Sequence, residues 1–288
     1  MTTVRFPLLL ISCLLALCAS VRSLSAEDES WRKPFPSHRV SGNVYYVGTS
    51  ELACFLITTP AGHMLINTGL ADSVPLIRAG MQKLGFRIED VKLLLTMQAH
   101  YDHVAGMAEM KRLTGARMLA TEQDAPLLED GGKSDFFLGK KYWFAPVKVD
   151  TLIKDGQKIQ LSGTEVTAHL TPGHTKGSVT YTLQVVEGGR KYNVVIANMA
   201  SIIVEKLLGN PKYPNMAADF AKAFEVQKSL PCDVFLSAHA SQYGMHGKYK
   251  PGAAYNPTTF VDPEGYRAGV AGYEKAYTEQ LARERSER

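Results

Sequence analysis

Four residues able to hold a metal ion stand within six positions of this chain: Gln98, His100, Asp102 and His103, in the stretch Leu95-Thr96-Met97-Gln98-Ala99-His100-Tyr101-Asp102-His103. Imidazole nitrogen and carboxylate oxygen bind zinc while leaving a coordination position open for water, which a catalytic site needs and a structural one does not. A single His is usually a core or surface residue. Two His and an Asp within four residues, just past an apolar strand, point to a metal site. The run Lys92-Leu93-Leu94-Leu95-Thr96 reads as that strand. Gln98 and His100 follow two apart in extended chain, which turns both side chains to one side. His103 is expected to open a helix through Met107, Met110 and Leu113.

Two further His join this set. His174 sits at the tip of a tight turn, Pro172-Gly173-His174-Thr175-Lys176-Gly177-Ser178, between strands predicted over 166–170 and 179–185. No packing requirement places an imidazole there. His239 stands just past a strand predicted over 233–237, at the strand end where α/β folds tend to place their chemistry. His38, His63, His169 and His246 read as structural or surface residues.

The elements that must position these ligands alternate between strand and helix. Strands are predicted over 39–47 and 52–58, joined by a turn at Gly48-Thr49-Ser50, and over 63–67, 116–120 and 192–197. A helix capped by Asp72 carries Val74, Ile77, Met81 and Leu84 at helical spacing and stops at Gly85. Thr121 caps a helix running to Glu129. Met216, Phe220, Phe224, Gln227 and Leu230 share one helical side, and Asp262 with Pro263 opens a terminal helix with Tyr266, Val270, Tyr273, Tyr277 and Leu281 on one face. The pattern is α/β, with no linker and no repeat, so residues 27–288 read as one domain. Between these elements, Gly131-Gly132-Lys133-Ser134-Asp135-Phe136 is a polar loop, and loops beside a metal site touch ligands, which makes Lys133 a candidate contact.

The amino terminus carries Arg5 followed by an apolar run over 6–19, too short for a membrane span and of the length of a secretory signal core. A signal peptide over 1–26 is expected, with export to the periplasm and no membrane attachment after cleavage. Its removal takes away Arg5 and Arg22 and no acidic residue, so the formal charge of +4 falls by two to +2. A near-neutral chain without a basic stripe gives no reason to expect nucleic acid as a partner. Cys13 and Cys18 leave with the signal, and Cys54 and Cys232 are expected to remain as two buried thiols.

Taken together, the motifs resemble the metallo-β-lactamase superfamily, and within it the GOB-type enzymes of the third subclass of class B. They are Asn43-Val44-Tyr45-Tyr46-Val47-Gly48-Thr49, Leu65-Ile66-Asn67-Thr68-Gly69, Gln98-Ala99-His100-Tyr101-Asp102-His103, Gly131-Gly132-Lys133-Ser134-Asp135, Pro172-Gly173-His174-Thr175-Lys176-Gly177-Ser178, Ile196-Ala197-Asn198-Met199 and Ser237-Ala238-His239-Ala240-Ser241-Gln242. The resemblance implies a four-layer αββα sandwich and one or two zinc ions, the first on Gln98, His100 and His174, the second on Asp102, His103 and His239. It implies hydrolysis of the β-lactam amide of penicillins, cephalosporins and carbapenems by a zinc-activated hydroxide, with Asp102 orienting the nucleophile and zinc stabilising the leaving nitrogen. A monomer acting on a small-molecule substrate is expected.

Two departures sharpen this expectation. The superfamily has a His where Gln98 stands. The GOB-type enzymes share the Gln, and a neutral amide oxygen makes the first site the weaker one. Near Asn198-Met199, glyoxalase-like and phosphodiesterase-like relatives place a bridging Asp, and many third-subclass lactamases place a Ser one residue on. This chain leaves Ser201 as the nearest hydroxyl, and Ser201 and Met199 join Lys133 as candidate substrate contacts. The alternatives are a lactone or thioester hydrolase of the same fold and a non-catalytic zinc-binding relative.

Overall fold

The computed structural model describes residues 29–287, so the predicted signal sequence lies outside the described residues. A seven-stranded sheet runs in chain order: β1 (His38–Ser41), β2 (Val44–Tyr46), β3 (Phe55–Thr59), β4 (Gly62–Ile66), β5 (Val91–Leu95), β6 (Arg117–Thr121) and β7 (Thr151–Ile153). The first four pair antiparallel, and β4 through β7 pair parallel. Parallel neighbours need crossovers, supplied here by α1 (Val74–Lys83), by α2 (Tyr101–Val104) with α3 (Met107–Thr114), and by α4 (Ala125–Asp130). The second sheet holds β8 (Lys158–Leu161), β9 (Thr164–Leu170), β10 (Val179–Glu187), β11 (Arg190–Ala197) and β12 (Val234–Ser237), with β12 at one edge and parallel to β11. Three helices, α5 (Met216–Ser229), α6 (Met245–Lys248) and α7 (Pro263–Ser286), complete the chain.

The period-two alternation of strand side chains divides the interior in two. Phe55, Ile57, Met64, Ile66, Leu93 and Leu95 enter the core shared with the second sheet and with α5 and α7. Their neighbours Leu56, Leu65 and Leu94 enter a separate core under α1, α3 and α4. Each of these side chains is at most 3% exposed, and burying one contributes about 1.5–3 kcal/mol. Two sheets face to face with helices outside both form the expected αββα sandwich.

Several local boundaries differ from expectation. The predicted strand over 39–47 is two strands, β1 and β2, folded on a turn at Gly42 and Asn43 with His38 opposite Tyr46. The predicted helix from His103 begins at Tyr101 and breaks between α2 and α3 at Gly106, where a Cβ would stand 3.0 Å from the Thr68 carbonyl oxygen and 2.8 Å from Val74. Ser73, not Asp72, precedes α1, because a 3-10 turn over Ala71–Ser73 occupies the predicted cap. Likewise α4 starts after Asp124, with Thr121 ending β6. Asp262 caps α7 as expected, accepting the Gly265 amide proton.

Candidate metal centre

Every expected ligand lies at the end of a strand or just beyond it, and the folding of the two sheets brings them together. β5 ends at Leu95, and residues 96–100 run on as irregular chain before His100 leads into α2. The irregular run is held from beneath by Asn67. This residue adopts φ +62°, a conformation Asn tolerates better than most, and its Oδ1 accepts the Met97 amide proton at 3.0 Å. The turn carrying His174 is pinned by Asp124, which accepts the Gly177 amide and the Thr175 hydroxyl, both at 2.8 Å. The same carboxylate accepts the Ala99 amide at 3.0 Å, so one side chain ties the segment between Gln98 and His100 to the segment beside His174. Gly177 is required here, since a Cβ would fall 2.1 Å from the Thr121 hydroxyl oxygen. Burial pushes the Asp124 carboxyl up from its ordinary range, opposed by those same donors.

Two clusters result. In the first, His100 Nδ1 and His174 Nε2 stand 3.1 Å apart in buried surroundings. The outer nitrogen of His174, Nδ1, meets the Ser201 carbonyl oxygen at 2.7 Å and the Ser201 hydroxyl at 3.1 Å. Gln98 is buried, and its Oε1 has no hydrogen-bond partner. In the second, His103 Nε2 and His239 Nε2 both point at Asp102 Oδ2, at 3.1 and 3.4 Å, and the three ligand atoms lie within 4.8 Å of one another. Burial opposes ionisation of Asp102, but the two imidazoles outweigh it and hold the carboxyl well below the usual range. Burial, reinforced by His100, drives His174 down to about 3, so its ring is neutral and its lone pair available. Burial works in the same sense on His239, yet its hydrogen bonds to Asp102 and Glu51 prevail and raise it to about 9.

These groups fit a divalent cation. Buried polar atoms are ordinarily paired, but Gln98 Oε1 and His103 Nε2 lack well-aligned hydrogen bonds. A carboxylate with two imidazole nitrogens is a zinc donor set.

Comparison with known proteins agrees with this geometry. Residues 50–186 match the family model described as the metallo-beta-lactamase superfamily. The metallo-β-lactamase GOB-18 from Elizabethkingia meningoseptica superposes with a TM-score of 0.88 at 42% identity, covering 90% of this chain and 96% of that one. A class B3 di-zinc metallo-β-lactamase, LRA-12 from an Alaskan soil metagenome, superposes with a TM-score of 0.86 at 42% identity, covering 89% and 98%. The chain belongs to the class B3 metallo-β-lactamases. Among curated relatives, a hydroxyacylglutathione hydrolase from Rhodopseudomonas palustris is 24% identical over 127 residues, 44% of this chain. That match spans only 41% of the hydrolase.

The remaining expected contacts of this B3 chain fall in different places. Ser201 stands behind His174. Met199 is 1% exposed and packs in the main core, its methyl beside Gly269 of α7. Lys133 lies on the exposed loop, its ammonium 5.8 Å from the Trp143 ring. Beside the second cluster, Trp31 lies 5.9 Å from His239 and 6.0 Å from Tyr101, which in turn lies 4.9 Å from Tyr142. Sequence reasoning missed this aromatic rim, because Trp31 precedes the first strand and meets the site only through tertiary folding. The Cys54 and Cys232 thiols are free, Cys54 buried and Cys232 only partly so, since Cys232 sits at the entrance to β12.

Proposed function

We propose that this chain hydrolyses the β-lactam amide of penicillins, cephalosporins and carbapenems with zinc held on Asp102, His103 and His239, and that it works in the periplasm after loss of residues 1–26. The observation that carries this reading is the convergence of the Asp102 carboxylate and two imidazole Nε2 atoms in a B3 fold. When bound, zinc supplies a Lewis acid and lowers the pKa of a water molecule to about 7. The protein supplies direction and surroundings. Asp102, ionised, accepts a hydrogen bond from the attacking water and aims it. His103 and His239 turn Nε2 inward, and the buried floor around Gln98 and His100 excludes bulk water. Trp31, Tyr101 and Tyr142 offer apolar ring faces against which a bicyclic substrate packs, and Lys133 offers a cation at the loop for its carboxylate.

A single ion in the second cluster suffices in this reading, because the first cluster offers the neutral Gln98 where an imidazole would bind better. A thioester substrate is the second reading, supported by the partial likeness to hydroxyacylglutathione hydrolases. Loss of carbapenem and penicillin absorbance by purified mature protein, with zinc counted in the same sample and a chelated control, distinguishes them. Rapid, chelator-sensitive loss is expected. No hydrolysis by protein carrying its zinc overturns the β-lactam reading.

A further inference from the structure

We propose that two carboxylates standing behind the ligands, Glu51 behind His239 and Asp135 behind His100, are positioning residues, each setting the affinity of one zinc position. An imidazole that binds a metal through one nitrogen carries its proton on the other, and an acceptor for that proton fixes the tautomer, orients the ring and raises its basicity. His239 turns Nε2 towards Asp102 and Nδ1 towards Glu51 Oε1 at 3.5 Å. His100 is reversed: Nδ1 faces His174 and Nε2 faces Asp135 Oδ2 at 3.3 Å. The two rings use opposite nitrogens, and in each a carboxylate stands at the outward one. That correlation is what a tautomer-setting role requires and what chance proximity does not.

Both carboxylates are themselves fixed. The side chain of Asp135 is 2% exposed; its Oδ1 accepts the Phe137 and Leu138 amides, both at 2.6 Å, which leaves Oδ2 for His100. Glu51 accepts the Ser241 amide and hydroxyl on the turn that follows His239. The inner rings have neutral partners instead, with Ser201 behind His174 and the Asn67 amide 3.4 Å from His103 Nδ1. Each cluster therefore has one carboxylate-backed imidazole. The consequence is larger in the first, where Gln98, His100 and His174 include no anionic ligand and Asp135 supplies the negative charge.

The inference rests on the proposed ligand sets but not on the substrate, so its test reads metal affinity alone. Zinc is titrated into metal-free full-length mature protein against a chromophoric chelator, and the cobalt-substituted protein gives a visible spectrum for each position. Glu51→Gln is expected to weaken the tighter position about 10–100-fold and leave the weaker one unchanged; Asp135→Asn is expected to do the reverse. Ser241→Ala removes a Glu51 anchor but keeps the carboxylate, and is expected to retain near-parental affinity. Parental affinity in both acid variants, equal loss at both positions in either, or a Ser241→Ala loss matching Glu51→Gln overturns the proposal. Melting of the metal-free variants separates a folding defect, and Glu51→Asp, which keeps the charge on a shorter arm, is expected to fall between parent and Glu51→Gln. Parent protein that binds zinc but spares β-lactams would sink the proposed function and leave this inference standing.

Discussion

Asp124→Ala is the most searching perturbation of the architecture under the site. The carboxylate accepts two backbone amides, Ala99 and Gly177, and one hydroxyl, Thr175, and all four residues are buried or enclosed by buried neighbours. Removing it leaves both amides without an acceptor, at about 1–3 kcal/mol each. The Thr175 hydroxyl loses less, because Ser178 Oγ stands 2.8 Å away as a second partner. Against this runs the relief of no longer burying a carboxylate, which already pushes the Asp124 pKa up. The net cost is about 3 kcal/mol, which for a chain of this size lowers the melting temperature by roughly 6–12 °C. The damage is also local, since the two untethered segments carry Gln98, His100 and His174 while Asp102, His103 and His239 hang from other contacts. Thermal melting of chelated protein reads the first effect, and zinc counting after dialysis at graded free zinc reads the second. Asp124→Ala is expected to melt lower and to lose the weaker zinc position while keeping the tighter. A variant that melts within 2 °C of the parent, or that loses the tighter ion first, refutes the reasoning.

Gln98→Ala is expected to keep the tighter zinc and most of the turnover, and Gln98→His to tighten the weaker zinc position; loss of the tighter ion on Gln98→Ala, by elemental analysis, contradicts the first, and an unchanged affinity of the weaker position in Gln98→His contradicts the second. His38 gives a pH signature. It stacks 3.7 Å from Tyr249, is buried, and burial holds it down at about 4 despite its hydrogen bond with the Pro36 carbonyl. The unfolded chain, with a pKa near 6.5, takes up a proton before the folded chain does, so this contribution is complete above about pH 6.5 and lost as pH falls towards 4, amounting to about 3 kcal/mol. Denaturant unfolding with chelator present in both proteins should show a steeper fall in the parent than in His38→Phe, which keeps the contribution of His174; parallel curves would exclude it.

The candidate ligands are legible in the sequence because the chemistry proposed for them is local. Gln98, His100, Asp102 and His103 share six positions, and His174 and His239 each follow a strong strand pattern. The groups that orient them are not legible. Glu51 reaches His239 only because Ala53 and Ala238 hydrogen-bond across the chain, and Asp124 reaches Gly177 only because the two sheets close on each other. A lone Glu in a turn and an Asp ahead of a helix carry no local signal. Asp135 lay in a recognisable motif, but its sequence reads as a solvated loop, and only the fold turns it inward against His100. Strands were missed where they are both short and exposed: β7 and β8 have three and four residues with partly exposed faces, whereas β2 and β12, equally short, are apolar and mostly buried. Met199 shows the opposite error, since a position beside expected ligands says nothing about which way the side chain packs.

The two clusters also explain why a Gln is tolerable at position 98. In the second cluster one oxygen, Asp102 Oδ2, gathers both His103 and His239, so three donors already stand close together and converge on one point. A cation bound there would replace protons in an assembled site, with the Asp102 carboxylate among its donors. The first cluster has two imidazole nitrogens 3.1 Å apart and a neutral amide, with its carboxylate one ring removed. On the proposed ligand sets, exchanging imidazole for amide there would weaken a position that the second cluster does not depend on. The same exchange at His103 or His239 would remove a donor from the only cluster among the described residues that joins a carboxylate to two imidazoles, and zinc binding would fail with it.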